Sequence, residues 1–315
     1  MSWKKIFSGL NFIAQCKRYN LPLWQCPHFL FLIIGLVDIF LIFTSYALAT
    51  RYIEDPATAA LIVLIVAAIL FILDFIIEKS VENLAEANLM KSEFISITSH
   101  QLRAPLSSAK WALELLLSGR LGKIEERQRD YFKILKDNLD EMLNLLSDLL
   151  IVSKIETGRL PCEKKEFSLA KLTQNLIKEY QPLAESLKVK VFLESENNFN
   201  VFADPSQIKI AIENLLDNAI RYTKEGGEVK IRIFKKINQI YFEIKDTGVG
   251  IPKEEQKYIF QKFFRSPNVL QLQPKGTGLG LYITKALIER SGGKIGFFSQ
   301  EGKGSTFWFT LPTKK

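Results

Sequence analysis

Two stretches of the chain concentrate residues able to do chemistry. "FISITSHQLRAPL" (94–106) holds His100, one of only two histidines present. A ring nitrogen on an exposed helix is a nucleophile, although most lone surface histidines are only surface. "ENLLDNAIRYT" (213–223) sets Asn214 and Asn218 four residues apart, one turn along one helix face. Two neutral amide oxygens there suit a hard cation, Mg²⁺, carried mainly by phosphates. Three further segments follow in order. "DTGVGIP" (246–252) ends a strand with an acid and two glycines, which let the backbone approach a ligand closely. "YIFQKFFRS" (258–266) is aromatic and reads first as core. "KGTGLGLYITKALI" (275–288) is a glycine-rich loop opening a helix, which suits a phosphate at the helix N-terminus. A Rossmann reading of that loop fails, because "SPNVLQLQPK" (266–275) and not a strand precedes it.

The elements that hold these residues follow from periodicity. Residues 78–119 carry a helical seam: Ile95, Ser99, Leu102, Leu106, Ala109, Leu113 and Leu116 recur at spacings of four and three. His100 lies two residues before Leu102, about 200° around the helix, so it faces away from the seam. Pro105 has no N–H for the carbonyl of Gln101, so a kink or loosening is expected just beyond the histidine. "SGRLGK" (118–123) is a break, and a second helix over about 125–156 carries two apolar seams, one through Leu135, Met142 and Leu145 and one through Leu139, Leu143 and Leu146. Two helices cannot bury three seams, whereas pairing with a second copy into a four-helix bundle can. After a linker at 157–167, helices are expected at 168–184, 205–222, 253–260 and 279–291. Strands are expected at 188–195, 228–235, 239–246, 294–299 and 305–311, an α+β arrangement with an antiparallel-type sheet.

Upstream, 29–50 and 57–77 are apolar runs interrupted only by Asp38 and Asp74, each long enough to cross a bilayer. The joint, Arg51 to Pro56, is too short for a folded domain. Residues 1–28 carry Lys4, Lys5, Lys17 and Arg18 without an acid, so the positive-inside rule puts both termini in the cytoplasm of a two-pass protein. "ALA" at 47–49 mimics a cleavage site, but the long lead and long apolar run favour an uncleaved anchor. Residues 3–14 present Trp3, Ile6, Phe7, Leu10 and Ile13 on one face, as a helix lying on the inner surface would. A net charge of +8 is spread among acids without a basic stripe, which argues against nucleic acid. Three cysteines form no CxxC pair, so free thiols are expected in place of a metal site.

In this order, with "GKGSTFWFTLP" (302–312) downstream, the motifs of residues 90–312 resemble those of a membrane-bound sensor histidine kinase. The resemblance implies a cell (inner) membrane location, a helical dimerisation and phosphotransfer domain, and an ATP-binding sandwich of the GHKL type. The expected domains are 1–28, a transmembrane hairpin at 29–77, signalling and phosphotransfer helices at 78–160, and a catalytic domain at 161–315. It makes His100, beside Gln101, the acceptor of the γ-phosphate of ATP and the donor to an aspartate of a response regulator receiver domain, within a homodimer. Asn218, with Asn214, would hold Mg²⁺. Arg221, where the family has lysine, and Tyr222 would meet phosphate. Asp246 would accept from the adenine amino group, with Gly248 and Gly250 giving room. Lys275, Gly276, Thr277, Gly278, Leu279 and Gly280 would form the nucleotide loop, within a mobile segment at 266–278. The chain departs from the pattern at Gln101, where an acid is usual, and at Ala104, where threonine or asparagine is usual. Gln101 can accept a hydrogen bond but cannot act as a base, and a methyl group cannot orient water, so weak phosphatase activity is expected. Two other readings stand beside this one: a nucleotide-binding membrane scaffold without catalysis, and a GHKL ATPase. The ATPase lacks its glutamate one turn before Asn218, since Glu213 is one residue off.

Overall fold

A computed structural model describes residues 27–195, 199–236, 239–266 and 276–313. The expected surface helix at 3–14, Cys16, Cys26 and Lys275 lie outside the described residues. The chain divides into two compact units, residues 1–97 with 156–159, and residues 98–155 with 160–315.

The first unit holds α1 (Pro27–Tyr52) and the start of α2 (Pro56–Leu117). Both are long and apolar enough to cross a membrane, by length and composition. Their large side chains, Leu36, Phe40, Phe43, Leu64 and Phe71 among them, stand exposed. The short joint is closed by Asp55, whose carboxylate accepts from the backbone N–H groups of Ala57 (3.3 Å) and Thr58 (3.2 Å) and so caps α2. The side chains of Asp38 and Asp74 lie close to one another, one on each helix.

In the second unit the remainder of α2 runs with α3 (Glu126–Glu156). Lys110 meets Asp140 at 2.6 Å, and Arg103 Nη2 donates to Ser147 Oγ at 3.1 Å. The loosening expected beyond His100 does not end the helix: α2 continues through Pro105 to Leu117. Proline removes one hydrogen bond of many, and the exposed Gln101 leaves its own carbonyl open to water. Of the three seams, Ser99, Leu113, Leu146 and Val152 are buried. Leu102, Leu135, Met142 and Leu145 are not.

The rest of the unit alternates short strands and helices: β1 (Lys165–Ser168), α4 (Leu169–Ser186), β2 (Lys190–Ser195), β3 (Asn200–Ala203), α5 (Pro205–Tyr222), β4 (Glu228–Lys236), β5 (Gln239–Asp246), α6 (Gly280–Arg290), β6 (Ile295–Gln300) and β7 (Gly304–Pro312). Five strands form one sheet in the order β2-β4-β5-β7-β6, and β1 and β3 pair separately. The sheet is mixed where an antiparallel one was expected, because β2 and β4 are parallel and joined through β3 and α5. The small β1–β3 sheet was not anticipated, since four-residue strands show no readable alternation; β1 lies at the end of the expected linker. The expected helix at 253–260 is a series of turns, with Glu255, Tyr258 and Gln261 each donating to the carbonyl three residues earlier. The core lies between the sheet and α5, where Ile208, Ile212, Leu215, Leu216 and Ile220 pack on Ile231, Ile233, Phe242 and Phe309. Phe242 and Phe309 stack at 4.6 Å. Each such side chain contributes about 1.5–3 kcal/mol by leaving water.

Asp204 fixes where α5 starts. Its carboxylate accepts from Ser206 N (2.9 Å), Ser206 Oγ (2.6 Å) and Glu163 N (2.8 Å), and Pro205 follows at the first helical position. Burial alone would raise this carboxyl, but the donors around it outweigh burial and hold it below the ordinary range. A lowered carboxyl stabilises the fold at pH above about 4 and loses that contribution as pH falls through its lowered value. Asp204→Ala is therefore expected to cost about 1–2 kcal/mol at neutral pH. In urea titrations the gap between wild type and variant should shrink in acid.

Candidate functional site

One cleft of about 790 Å³ collects most of the chemistry-bearing residues of the second unit. The C-terminal half of α5 forms one wall, the end of β5 its floor, the loop before α6 another wall, and a polar face of α3 the last. The amphipathic pattern of α5 explains its part. One face is locked in the core, so Asn214, Asp217, Asn218 and Arg221 must project on the other. At the floor, Asp246 is 6% exposed, and its Oδ1 accepts from Gly248 N (2.8 Å) and Ser305 N (3.1 Å). Burial pushes this carboxyl above its ordinary value, with the backbone N–H groups of Gly248, Ser305 and Asp246 itself pulling back. The contacts from Gly248 and Ser305 both fall on Oδ1. Gly248 is required by close approach: a Cβ there would lie 2.2 Å from the carbonyl oxygen of Tyr222, where the strand end passes the end of α5.

The expected site residues divide. Asn218, Arg221, Tyr222, Asp246, Gly250, Gly276, Thr277, Gly278 and Gly280 line the cleft. The Asn218 side chain makes no hydrogen bond among the described residues. Arg221 Nε is tied to Asp217 at 2.7 Å. Tyr222 is largely buried, which raises its hydroxyl, beside the positive Arg265. Asn214 is also in the cleft wall, but its amide nitrogen donates to Gly280 O (3.1 Å) and Thr284 Oγ1 (3.3 Å). Leu279 leaves the cleft: its side chain is fully buried with Ile283, Leu287 and Val152, and its N–H donates to Thr277 Oγ1. His100 and Gln101 are exposed on α2 and do not line the cleft.

Comparison with known proteins settles what these parts belong to. Residues 90–158 match the His Kinase A (phospho-acceptor) domain, and residues 203–315 match the Histidine kinase-, DNA gyrase B-, and HSP90-like ATPase family. The chain carries the two domains of a histidine kinase. It is 38% identical over 230 residues to the circadian input-output histidine kinase CikA of Synechococcus elongatus, covering 72% of this chain and 30% of that protein. It is 34% identical to the sensor histidine kinase GacS of Pseudomonas protegens, over 73% of this chain and 25% of that protein. It thus spans at most about a third of these two relatives. Full-length ShkA in complex with AMPPNP superposes with a TM-score of 0.59 at 25% identity, over 70% of this chain and 45% of that one.

Arg265 and Asp148 are among the cleft residues that escaped the sequence reading. Arg265 sits in the aromatic segment, where the aromatics drew attention, and a Cβ at Gly276 would lie 3.8 Å from its guanidinium. Asp148 belongs to α3, and only the tertiary fold brings its Oδ2 within 2.8 Å of the Thr277 hydroxyl, which donates to it. Below that bond an apolar cluster of Val152, Leu279, Ile283 and Leu287 joins α3 to α6. Burial raises the Asp148 carboxyl, and the Thr277 hydroxyl only partly offsets this. A raised carboxyl favours the native contact below its ordinary value of about 4, and that contribution is lost as pH rises through the raised value. Asp148→Asn should remove this loss: in urea unfolding between about pH 4 and 7, the variant gains relative to wild type as pH rises.

Proposed function

We propose that this chain is a membrane-bound protein-histidine kinase that phosphorylates His100 from Mg-ATP and passes the phosphoryl group to an aspartate of a response regulator. The observation that carries this reading is the presence, in one compact unit, of an exposed histidine inside the phosphoacceptor segment and a cleft floored by a buried carboxylate. Asp246 offers its carboxylate to the amino group of adenine, and its burial excludes competing water. Asn218, whose side chain makes no hydrogen bond among the described residues, would hold Mg²⁺. Arg221, Tyr222 and Arg265 flank the phosphates, with the backbone of Gly276, Thr277, Gly278 and Gly280. The bound cation would neutralise phosphate charge and orient the chain of phosphates.

His100 attacks the γ-phosphorus through a ring nitrogen. The N–P bond forms as the bond to the ADP oxygen breaks, and the ring releases its proton to solvent. Gln101 accepts a hydrogen bond from the other ring nitrogen and leaves the proton to water, so transfer is slower than an acid at 101 would allow. The receiver carboxylate then displaces the histidine nitrogen. Ala104, exposed on the same helix, gives no group to orient water for the reverse hydrolysis, which makes the enzyme a weak phosphatase. Glu213 is tied to Lys209 at 3.5 Å, which disfavours its use as an ATPase base.

Residues 29–77 form the two-pass hairpin in a cell membrane, which the apolar, exposed helices support, and the basic, acid-free residues 1–28 favour cytoplasmic termini. Residues 78–160 form the phosphotransfer unit and 161–315 the catalytic unit. The exposed Leu102, Leu135, Met142 and Leu145 support a homodimer that covers them.

Incubation with γ-labelled ATP tests the reading. An acid-labile, alkali-stable label on wild type, absent from His100→Gln with ATP binding intact, is expected. Free phosphate without labelled protein would mean an ATPase, and neither product a scaffold. Asp246→Asn keeps one acceptor but places a donor against a donor, so calorimetry should show ATP affinity reduced at least about tenfold.

A further inference from the structure

We propose that Asn214 is a positioning residue that clamps the first turn of α6 to α5 and is not itself a cation ligand. The inference rests on the nucleotide-binding reading above and assigns its two asparagines different jobs. The Asn214 amide nitrogen donates toward both the carbonyl of Gly280 (3.1 Å) and Thr284 Oγ1 (3.3 Å), two acceptors that lie close enough together to share one of its hydrogens. The Thr284 hydroxyl spends its own proton on Gly280 O (2.8 Å), so toward Asn214 it can only accept.

The amide orientation is therefore forced. Turning it over would put Oδ1 against a carbonyl oxygen and against a hydroxyl with no proton left to give. Thr284 is fully buried, so water cannot repair that mismatch. The remaining oxygen of Asn214 lies beside the α-carbon of Gly280, where an added Cβ would stand 3.4 Å from both Oδ1 and Cγ. A side chain packed on Gly280 and donating to its carbonyl sets the position of the loop that ends there. Asn218, one turn on, lines the same cleft with no protein hydrogen bond among the described residues. One amide is committed to the fold, and the other is open to a ligand.

The roles separate in the full chain in detergent micelles, with ADP as the probe. Asn214→Ala is expected to weaken ADP about tenfold both with Mg²⁺ and with EDTA, leaving the gain on adding Mg²⁺ unchanged. Asn218→Ala should keep the affinity in EDTA and lose that gain. The assignment is overturned if Asn214→Ala keeps its EDTA affinity and loses the Mg²⁺ gain.

A second readout needs no nucleotide. Asn214→Asp replaces the donor with a carboxylate facing Gly280 O, so the backbone amides of 280–284 should exchange hydrogen about tenfold faster, while Asn218→Asp leaves them unchanged. Equal exchange in the two variants overturns the clamp. Failure of wild type to bind ADP at all would sink the nucleotide reading, and the exchange comparison would still decide the clamp.

Discussion

The burial of one face of α5 against the five-stranded sheet is the constraint on which the cleft depends. Ile208, Ala211, Ile212, Leu215, Leu216 and Ile220 leave water together, and that fixes the rotation of the helix about its axis. Once the rotation is fixed, Asn214, Asp217, Asn218 and Arg221 have no other direction to take. The helix end is equally constrained. The carbonyl of Tyr222 accepts from Val249 N at 3.2 Å and leaves no room for a side chain at 248. The carboxylate of Asp246 therefore sits at a set depth below the α5 wall.

The loop before α6 answers to two masters. Its glycines and Thr277 border the cleft, while Leu279 is drawn into an apolar cluster with Val152 of α3. The Thr277 hydroxyl sits at the crossing point, donating to Asp148 and accepting from Leu279 N.

The helical part of the same unit is less complete within one chain. Its ion pairs and the Arg103–Ser147 bond hold α2 and α3 together, yet Leu102, Leu135, Met142 and Leu145 remain open to water. An apolar seam of that extent is stable in water only when something covers it.

The sequence by itself determined the kinds of most elements and most of the residues that line the cleft. Periodicity over many residues marks α3, α4, α5 and α6 to within a few residues, because an amphipathic helix repeats its signal every turn. Asn218, Asp246 and the glycines could be picked out because each belongs to a local motif whose backbone demands are visible in a few adjacent residues. What the sequence could not carry were relations between distant segments. The parallel β2–β4 pair, the β1–β3 sheet, the Asp148–Thr277 bond and the Asn214–Gly280 bond each join residues far apart in the chain. The removal of Leu279 from the cleft, and the separate fates of two asparagines with the same spacing signal, were likewise decided only by packing. A hydrogen bond or a buried contact depends on which atoms the folded core brings within 3–4 Å, and nothing in either residue's own neighbourhood records that.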